Sequence, residues 1–261
     1  MCKKFSNAKS FREKYSWLRY WENPFQESRE YQLAPAGVLD LYSLSKRCLN
    51  RYPSFFHDRK YDPTLYTFLS SQKDRSGESG SAFGIGLFEG TGPLGETRIQ
   101  PVYIYTLPLG LDQELAIKYA CKKWLNRSHN NANLDAIRSH FANSYIERTA
   151  KRISSEFMVN VTVSDVMYIY KLCGFEVSIH HRILTWCDVL KKEEILEMEL
   201  LGDFVSYYKY SYGLAMNSRM ACALVTTLVN NVEDFARGVS STRAYFKFGH
   251  AETILFLTTL L

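Results

Sequence analysis

An imidazole and a carboxyl group lie two residues apart near the end of the sequence, in Phe248-Gly-His250-Ala-Glu252-Thr. The residues up to Phe248 predict a β-strand, Gly249 a tight turn, and the residues from His250 onward the start of a helix. Amides at a helix start attract an anion, an imidazole there can donate to a phosphate oxygen, and a nearby carboxyl group can protonate a leaving alkoxide. The residues alone also allow a structural interpretation, in which Glu252 caps the helix and His250 is a turn residue.

These side chains need a scaffold that brings strand ends and helix starts together, and the rest of the sequence predicts an α/β fold. Short apolar or alternating stretches predict strands at 66–69, 102–105 and 244–248. Helical periodicity predicts helices at 36–52, 112–125, 132–158, 163–180, 192–210 and 216–237. The order of elements predicts an α/β core that begins in 1–110, is interrupted by an all-helical insert in 111–215, and returns in 216–261.

Composition and charge exclude several classes of protein. Hydrophobic residues make up 46% of the 261 and charged residues 23%, which excludes a disordered chain. No apolar run reaches about 18 residues, so no membrane-spanning helix is expected. The net charge of +5 suits an anionic partner, but no charge run predicts nucleic-acid binding. Two basic groups at helical spacing predict solvated helix faces: Lys118, Lys122 and Lys123, and Arg148, Lys151 and Arg152.

Six cysteines and two glycosylation sequons favour the secretory pathway, although the first residues of the chain hold no apolar signal core. The sequons begin at Asn126 and Asn160, in polar stretches that predict turns. Four residues could suggest a metal site, but their spacing fits no established zinc pattern: Cys173, His180, His181 and Cys187.

Several segments, taken together, resemble the multiple inositol polyphosphate phosphatases, a branch of the histidine acid phosphatases. The most specific is 248–261, which resembles the family's His-Ala-Glu motif after a strand. Arg75 lies where the family has an active-site arginine, ahead of a helix that begins with small residues. The resemblance covers residues 15–261, and its other segments are 17–25, 70–83, 172–190 and 208–219.

The resemblance implies a phosphoglycerate-mutase-like core and hydrolysis of phosphomonoesters through a phosphohistidine, without metal or cofactor. Arg75 would clamp the phosphoryl oxygens, His250 would donate to the same group, and Glu252 would protonate the leaving oxygen. The implied substrates are inositol polyphosphates such as phytate, with 2,3-bisphosphoglycerate as a further candidate. The resemblance also implies a Cys173–Cys187 disulfide and a secretory location, either in the endoplasmic reticulum lumen, secreted or membrane-associated.

One departure from the family concerns the nucleophile. The family carries it in an Arg-His-Gly-x-Arg-x-Pro motif, and no Arg-His-Gly occurs in this sequence. None of the six histidines has that context: His57, His129, His140, His180, His181 and His250. We therefore expect a truncated or alternative form of a longer enzyme, with a core incomplete at both ends and no turnover of its own. A non-catalytic polyphosphate-binding pseudoenzyme and an inactive fragment are the rival hypotheses.

Overall fold

The chain forms two compact units. The sheet unit comprises residues 31–129 and 209–261, and the helical unit comprises 1–30 and 130–208. The computed structural model describes Phe5 and residues 13–25, 30–56, 60–181 and 185–261.

Helices account for most of the described chain. The strands are β1 (Tyr66–Ser71), β2 (Ile104–Leu107) and β3 (Ala244–Phe248). The α-helices are α1 (Pro35–Arg51), α2 (Asp74–Phe88), α3 (Ile117–Ala120), α4 (Lys122–His129), α5 (Ala132–Phe141), α6 (Glu147–Phe157), α7 (Val163–His180), α8 (Trp186–Val189), α9 (Lys192–Tyr210), α10 (Cys222–Ala236) and α11 (Ala251–Leu260). Across the described residues, no helix is long and apolar enough to cross a membrane.

The sheet is parallel, with β1 between β2 and β3. Ser70 of β1 lies opposite Thr106 of β2 and Phe248 of β3, so the carboxyl ends of all three strands share one edge. β2 begins two residues later than predicted, because its ladder with β1 starts where Ile104 meets Phe68. This shared edge is where α/β folds place ligands.

Helix α2 packs closely against α1 and against Val102, because it carries glycines on its buried face. A Cβ on Gly84 would lie 2.6 Å from Val102 Cγ2, and one on Gly86 would lie 2.9 Å from the carbonyl oxygen of Tyr42 in α1. The two glycines therefore serve helix packing. The helix also starts earlier than expected: it begins at Asp74, so Arg75 lies in its first turn rather than ahead of it.

Residues 111–129 belong with the sheet, although the predicted insert began at 111. The reason is a small apolar cluster in which Ile117 and Trp124 pack with Phe256 of α11. The Trp124 indole N–H donates to Asn217 Oδ1 at 2.8 Å, which satisfies a buried polar pair. The predicted helix at 112–125 is therefore two short helices, and α3 and α4 contribute Ile117 and Trp124 to this cluster.

The helical unit has its own core around Trp186, whose side chain is fully buried. The rings of Phe5, Trp17 and Trp21 meet it edge-on, with centroids 5.3–5.7 Å away. Arg152 also lies in this unit, where it pairs with Glu156 and Glu194 instead of facing solvent as predicted. The helices predicted at 163–180 and 192–210 are confirmed as α7 and α9.

Candidate active site

His250 and Glu252 lie at the carboxyl edge of the sheet. β3 ends at Phe248 and α11 begins at Ala251, as predicted. His250 precedes the helix with an extended backbone, at φ −127° and ψ 162°, and its side chain makes no capping hydrogen bond. Its imidazole is therefore available to a neighbouring element.

That neighbour is Ser71, the last residue of β1. Ser71 is 1% exposed, and its Oγ lies 2.9 Å from His250 Nε2. The same hydroxyl lies 3.0 Å from Ser76 Oγ in α2. Because β1 and β3 are adjacent and parallel, the residues that end one strand meet those that follow the other. The hydroxyl thus fixes the imidazole at the sheet edge.

Glu252 forms an ion pair with Lys118 of α3, which donates a hydrogen bond to Glu252 Oε1. The two side chains are 22% and 25% exposed, respectively. Thr253 brings the two helices together, since its hydroxyl donates to the carbonyl oxygen of Leu115 at 2.9 Å, just ahead of α3. Lys118 was predicted on a solvated helix face, and that prediction is wrong because α3 packs against the sheet unit.

The ion pair sets the charge state of both partners. Burial raises the pKa of Glu252, but the hydrogen bond and positive charge of Lys118 outweigh it, so the pKa lies below its ordinary value. Burial likewise lowers the pKa of Lys118, and Glu252 outweighs that effect, so the pKa lies above its ordinary value. In the site without ligand, both groups are ionised at neutral pH.

His250 behaves in the opposite way. Burial and the positive charge of Arg75 lower the pKa of His250 below its ordinary value, against the opposing influence of Glu252. Arg75 Nη1 itself donates to the carbonyl oxygen of Tyr31 at 3.5 Å. His250 is therefore mainly neutral near pH 7.

The arrangement suits an anion with several acceptor oxygens. At the edge of the sheet, Lys118 pairs with Glu252, and the charges of Arg75 and Glu252 both act on the imidazole of His250. Of the residues that the sequence singled out, Arg75 lies in the first turn of the helix after β1, and His250 and Glu252 follow β3. Ser71 and Lys118 were missed. A pair of serines ending a buried strand was the available signal for Ser71, whereas no local pattern identified Lys118.

The other predicted residues lie outside this site. Cys173 and Cys187 form a disulfide, with Cα atoms 4.6 Å apart, which confirms the predicted pair and leaves neither thiol for a metal. Asn160 is exposed between α6 and α7, whereas Asn126 lies within helix α4 rather than in the predicted turn. Among the residues that the structure describes, no group of three His, Cys, Asp or Glu side chains could hold a metal ion. His57 lies outside those residues.

Comparison with solved structures supports the fold. The phytase from D. castellii superposes with a TM-score of 0.76 at 17% identity, over 99% of this chain and 56% of that one. The Bifidobacterium longum multiple inositol polyphosphate phosphatase, in complex with inositol hexasulfate, superposes with a TM-score of 0.66 at 16% identity. That match covers 87% of this chain and 62% of the other. The predicted α/β class is thus confirmed.

Comparison of sequences gives the family. Multiple inositol polyphosphate phosphatase 1 of Dictyostelium discoideum is 29% identical over 229 residues, which cover 84% of this chain and 35% of the relative. The relatives of the same name from Homo sapiens and Gallus gallus are matched over 52% and 54% of their length, so this chain spans about a third to a half of these proteins. The profile of the histidine phosphatase superfamily, branch 2, matches residues 1–261, and the chain belongs to that family.

Proposed function

We propose that this chain carries the phosphate-binding and proton-donating part of a phosphomonoesterase site for inositol polyphosphates. 2,3-Bisphosphoglycerate is a further candidate substrate, since it presents the same chemical group. The observation that supports the proposal best is the meeting of Arg75, His250 and Glu252 at one sheet edge, in a chain of the histidine phosphatase family. No metal or cofactor takes part in this proposal.

Each of the three side chains has a distinct role. Arg75 presents a planar, permanently charged fork that can hold two phosphoryl oxygens. His250 donates a hydrogen bond to the same phosphoryl group, while its contact with Ser71 Oγ holds the imidazole in place. Glu252 delivers a proton to the oxygen of the departing alcohol. All three interactions strengthen as negative charge develops in the transition state.

Glu252 must be protonated to act in this way, although the unliganded site keeps it ionised through Lys118. A polyanionic substrate competes with Glu252 for the ammonium group of Lys118. Both the loss of that contact and the approach of phosphate raise the pKa of Glu252. The carboxyl group of Glu252 is therefore protonated only when substrate is bound.

The nucleophile is the missing part, since no Arg-His-Gly occurs in the sequence. We infer that the polypeptide of residues 1–261 binds phosphate esters and does not turn them over. Without a histidine to accept the phosphoryl group, no phosphoenzyme can divide the reaction into two steps. The hypothesis of a non-catalytic polyphosphate binder predicts the same behaviour for residues 1–261, because it rests on the same cationic side chains.

The test is a calorimetric titration of the chain with inositol hexakisphosphate, together with an assay of phosphate release. Arg75→Ala should weaken binding by about tenfold or more, because it removes a charge-assisted bidentate contact. Arg243→Ala is the matched control, since Arg243 is exposed and precedes β3 at the opposite edge of the sheet. Equal affinities for the two variants would refute the site. Phosphate release that requires one of the other histidines would show a different nucleophile.

We also propose a secretory location, which the Cys173–Cys187 disulfide supports, because such bonds persist in oxidising compartments. Asn160 is exposed in a loop and is suited to carry a glycan, whereas Ser128 of the Asn126 sequon is 2% exposed within a helix. Expression in a eukaryotic secretory host should give a product whose mass falls on glycosidase treatment. Asn160→Gln should abolish that shift, and Asn126→Gln should not. A shift that persists without Asn160 would contradict the assignment.

A further inference from the structure

Two cysteines with free thiols line one cavity of the sheet unit. Cys121 follows the last residue of α3, and Cys222 is the first residue of α10. Both line a cavity of about 320 Å³, and neither His250 nor Glu252 belongs to its lining. The fold therefore brings two cysteines from distant parts of the sequence to one place outside the candidate active site.

The small apolar cluster of the sheet unit explains why these cysteines are neighbours. Cys121 packs against this cluster, whose buried members include Ile117 and Ala221. Ala221 is fully buried and immediately precedes Cys222, so α10 begins at the surface of the cluster. The amide of Cys121 donates to the carbonyl oxygen of Ile117 at 3.2 Å, which fixes the end of α3. Both cysteines are thus attached to the same packed core.

The two cysteines differ in their exposure to solvent. Cys222 is exposed, whereas Cys121 is half-buried. An exposed thiol can attack a disulfide that arrives from solution, and a second cysteine beside it can then displace the adduct. An accessible cysteine next to a resolving one is the arrangement typical of thiols that undergo reversible oxidation.

Arg219 gives the cavity a positive charge. It is exposed, it lines the same cavity, and it lies three positions before Cys222. Among the residues that the structure describes, no acidic side chain lines the cavity with it. Because a guanidinium binds carboxylates through charge-assisted hydrogen bonds, the cavity suits a disulfide that carries carboxylates, such as glutathione disulfide.

We propose that Cys121 and Cys222 form a redox pair, which reacts with a carboxylate-bearing small-molecule disulfide and closes into an intramolecular disulfide. The Cys222 thiol gives up its proton and its sulfur attacks the small disulfide, whose S–S bond breaks and releases one small thiol that takes up a proton. Cys121 then gives up its proton and attacks the Cys222 sulfur, which releases the second small thiol. Two protein thiols are oxidised, and one small disulfide is reduced to two thiols. This inference goes beyond the proposed function and does not depend on it.

The new bond would join the end of α3 to the start of α10. It would close a loop of about 100 residues, which restricts the unfolded chain and so stabilises the folded one. For a chain of this size, we expect oxidation to raise the Tm by about 10 °C. Cys222→Ser should show no such rise under the same oxidising conditions.

The first experiment identifies the bond directly. The full chain is incubated in glutathione buffers of graded redox ratio, the remaining thiols are alkylated, and tryptic peptides are mapped by mass spectrometry. Trypsin releases Cys121 in residues 119–122 and Cys222 in residues 220–237. A linked pair of these two peptides would identify the new bond and separate it from the disulfide of the helical unit.

Two controls accompany the map. Cys48 is the matched thiol, since it is free, half-buried and located in α1. It should carry at most a glutathione adduct and should not be linked to either member of the pair. Cys121→Ser should leave Cys222 with a stable glutathione adduct, which the unmodified chain should not accumulate because Cys121 displaces it.

The second experiment tests the class of the small disulfide. Arg219→Gln should slow the reaction with glutathione disulfide about threefold, because one attractive charge is lost, and should not slow the reaction with the cationic disulfide cystamine. Arg243→Gln is the matched control, since Arg243 is exposed and precedes β3. Equal slowing with both reagents, or no slowing with glutathione disulfide, would overturn the assignment of Arg219.

The outcomes decide the redox pair independently of the proposed function. Stable glutathione adducts on both cysteines without a linked peptide would overturn the pair. Linkage of Cys121 or Cys222 to a different cysteine would overturn it as well. No phosphate ligand enters these measurements, so a failure of phosphate binding would leave their result unchanged.

Discussion

Replacing Ser71 with alanine tests how the site holds its histidine without changing any charge. The Ser71 hydroxyl is buried, 2.9 Å from His250 Nε2 and 3.0 Å from Ser76 Oγ. A hydrogen bond of this kind contributes about 0.5–1.5 kcal/mol net, and water can replace part of it because the imidazole is only half-buried. We therefore expect phosphate affinity to fall by about 1 kcal/mol, or about fivefold.

Two measurements would check this expectation. Titration calorimetry with inorganic phosphate gives the affinity, and ¹⁵N spectra of a histidine-labelled chain report the tautomer of His250 directly. In the unmodified chain Ser71 should favour one tautomer, and in Ser71→Ala the ¹⁵N shifts should move towards an average of two. The His250→Asn spectrum would assign the resonances.

Ser76→Ala serves as the comparison, because it removes the 3.0 Å contact and keeps the contact with the imidazole. It should change phosphate affinity by less than about twofold. If Ser76→Ala lowered affinity as much as Ser71→Ala, the loss would come from loosening of the strand end. Unaltered ¹⁵N shifts in Ser71→Ala would refute the positioning role outright.

Three other predictions concern proton uptake, the disulfide and packing. Binding of inositol hexasulfate near pH 6.5 should take up protons, because the lowered pKa of His250 leaves it neutral and the anion then raises that pKa. Calorimetry in buffers of different ionisation enthalpy measures the uptake, and His250→Asn should reduce it to the part taken up by Glu252. Replacing both Cys173 and Cys187 with serine should lower the free energy of unfolding by about 3 kcal/mol, because the bond cross-links positions 14 residues apart. Urea titration measures this loss, and an unchanged free energy would show that the bond is absent. Gly86→Ala should cost about 1–3 kcal/mol through overpacking against α1, whereas Gly174→Ala, with open space around its Cβ, should be neutral or stabilising in the same urea titration.

The sequence predicted the parts of the site that depend on neighbouring residues. Alternation up to Phe248, a glycine and an apolar helix start are local features, so they located His250 and Glu252 at the turn after β3. The same holds for α7 and α9, whose periodicity runs uninterrupted.

The features that the sequence did not predict depend on packing between residues that are distant in the chain. Lys118 meets Glu252 only because Ile117 and Trp124 pack on α11, and nothing in the local pattern around Lys118 carries that information. Ser71 meets His250 only because β1 and β3 are neighbours, a fact of strand order. Helical periodicity between 112 and 125 predicted a helix, but it did not indicate whether that helix would belong to the sheet unit or to the helical unit.

The contact between Ser71 and His250 joins positions 179 residues apart in the chain. Closing so long a loop costs entropy, but the cost grows only with the logarithm of loop length, by about 0.6 kcal/mol for each doubling. Inserting a unit of helices between two paired strands therefore lowers the equilibrium stability little. It slows folding, because pairing between strands that are distant in sequence forms slowly. Pairing of β1 with β3 completes both the sheet and the imidazole's environment. His250 therefore gains its Ser71 partner only when β1 and β3 have paired.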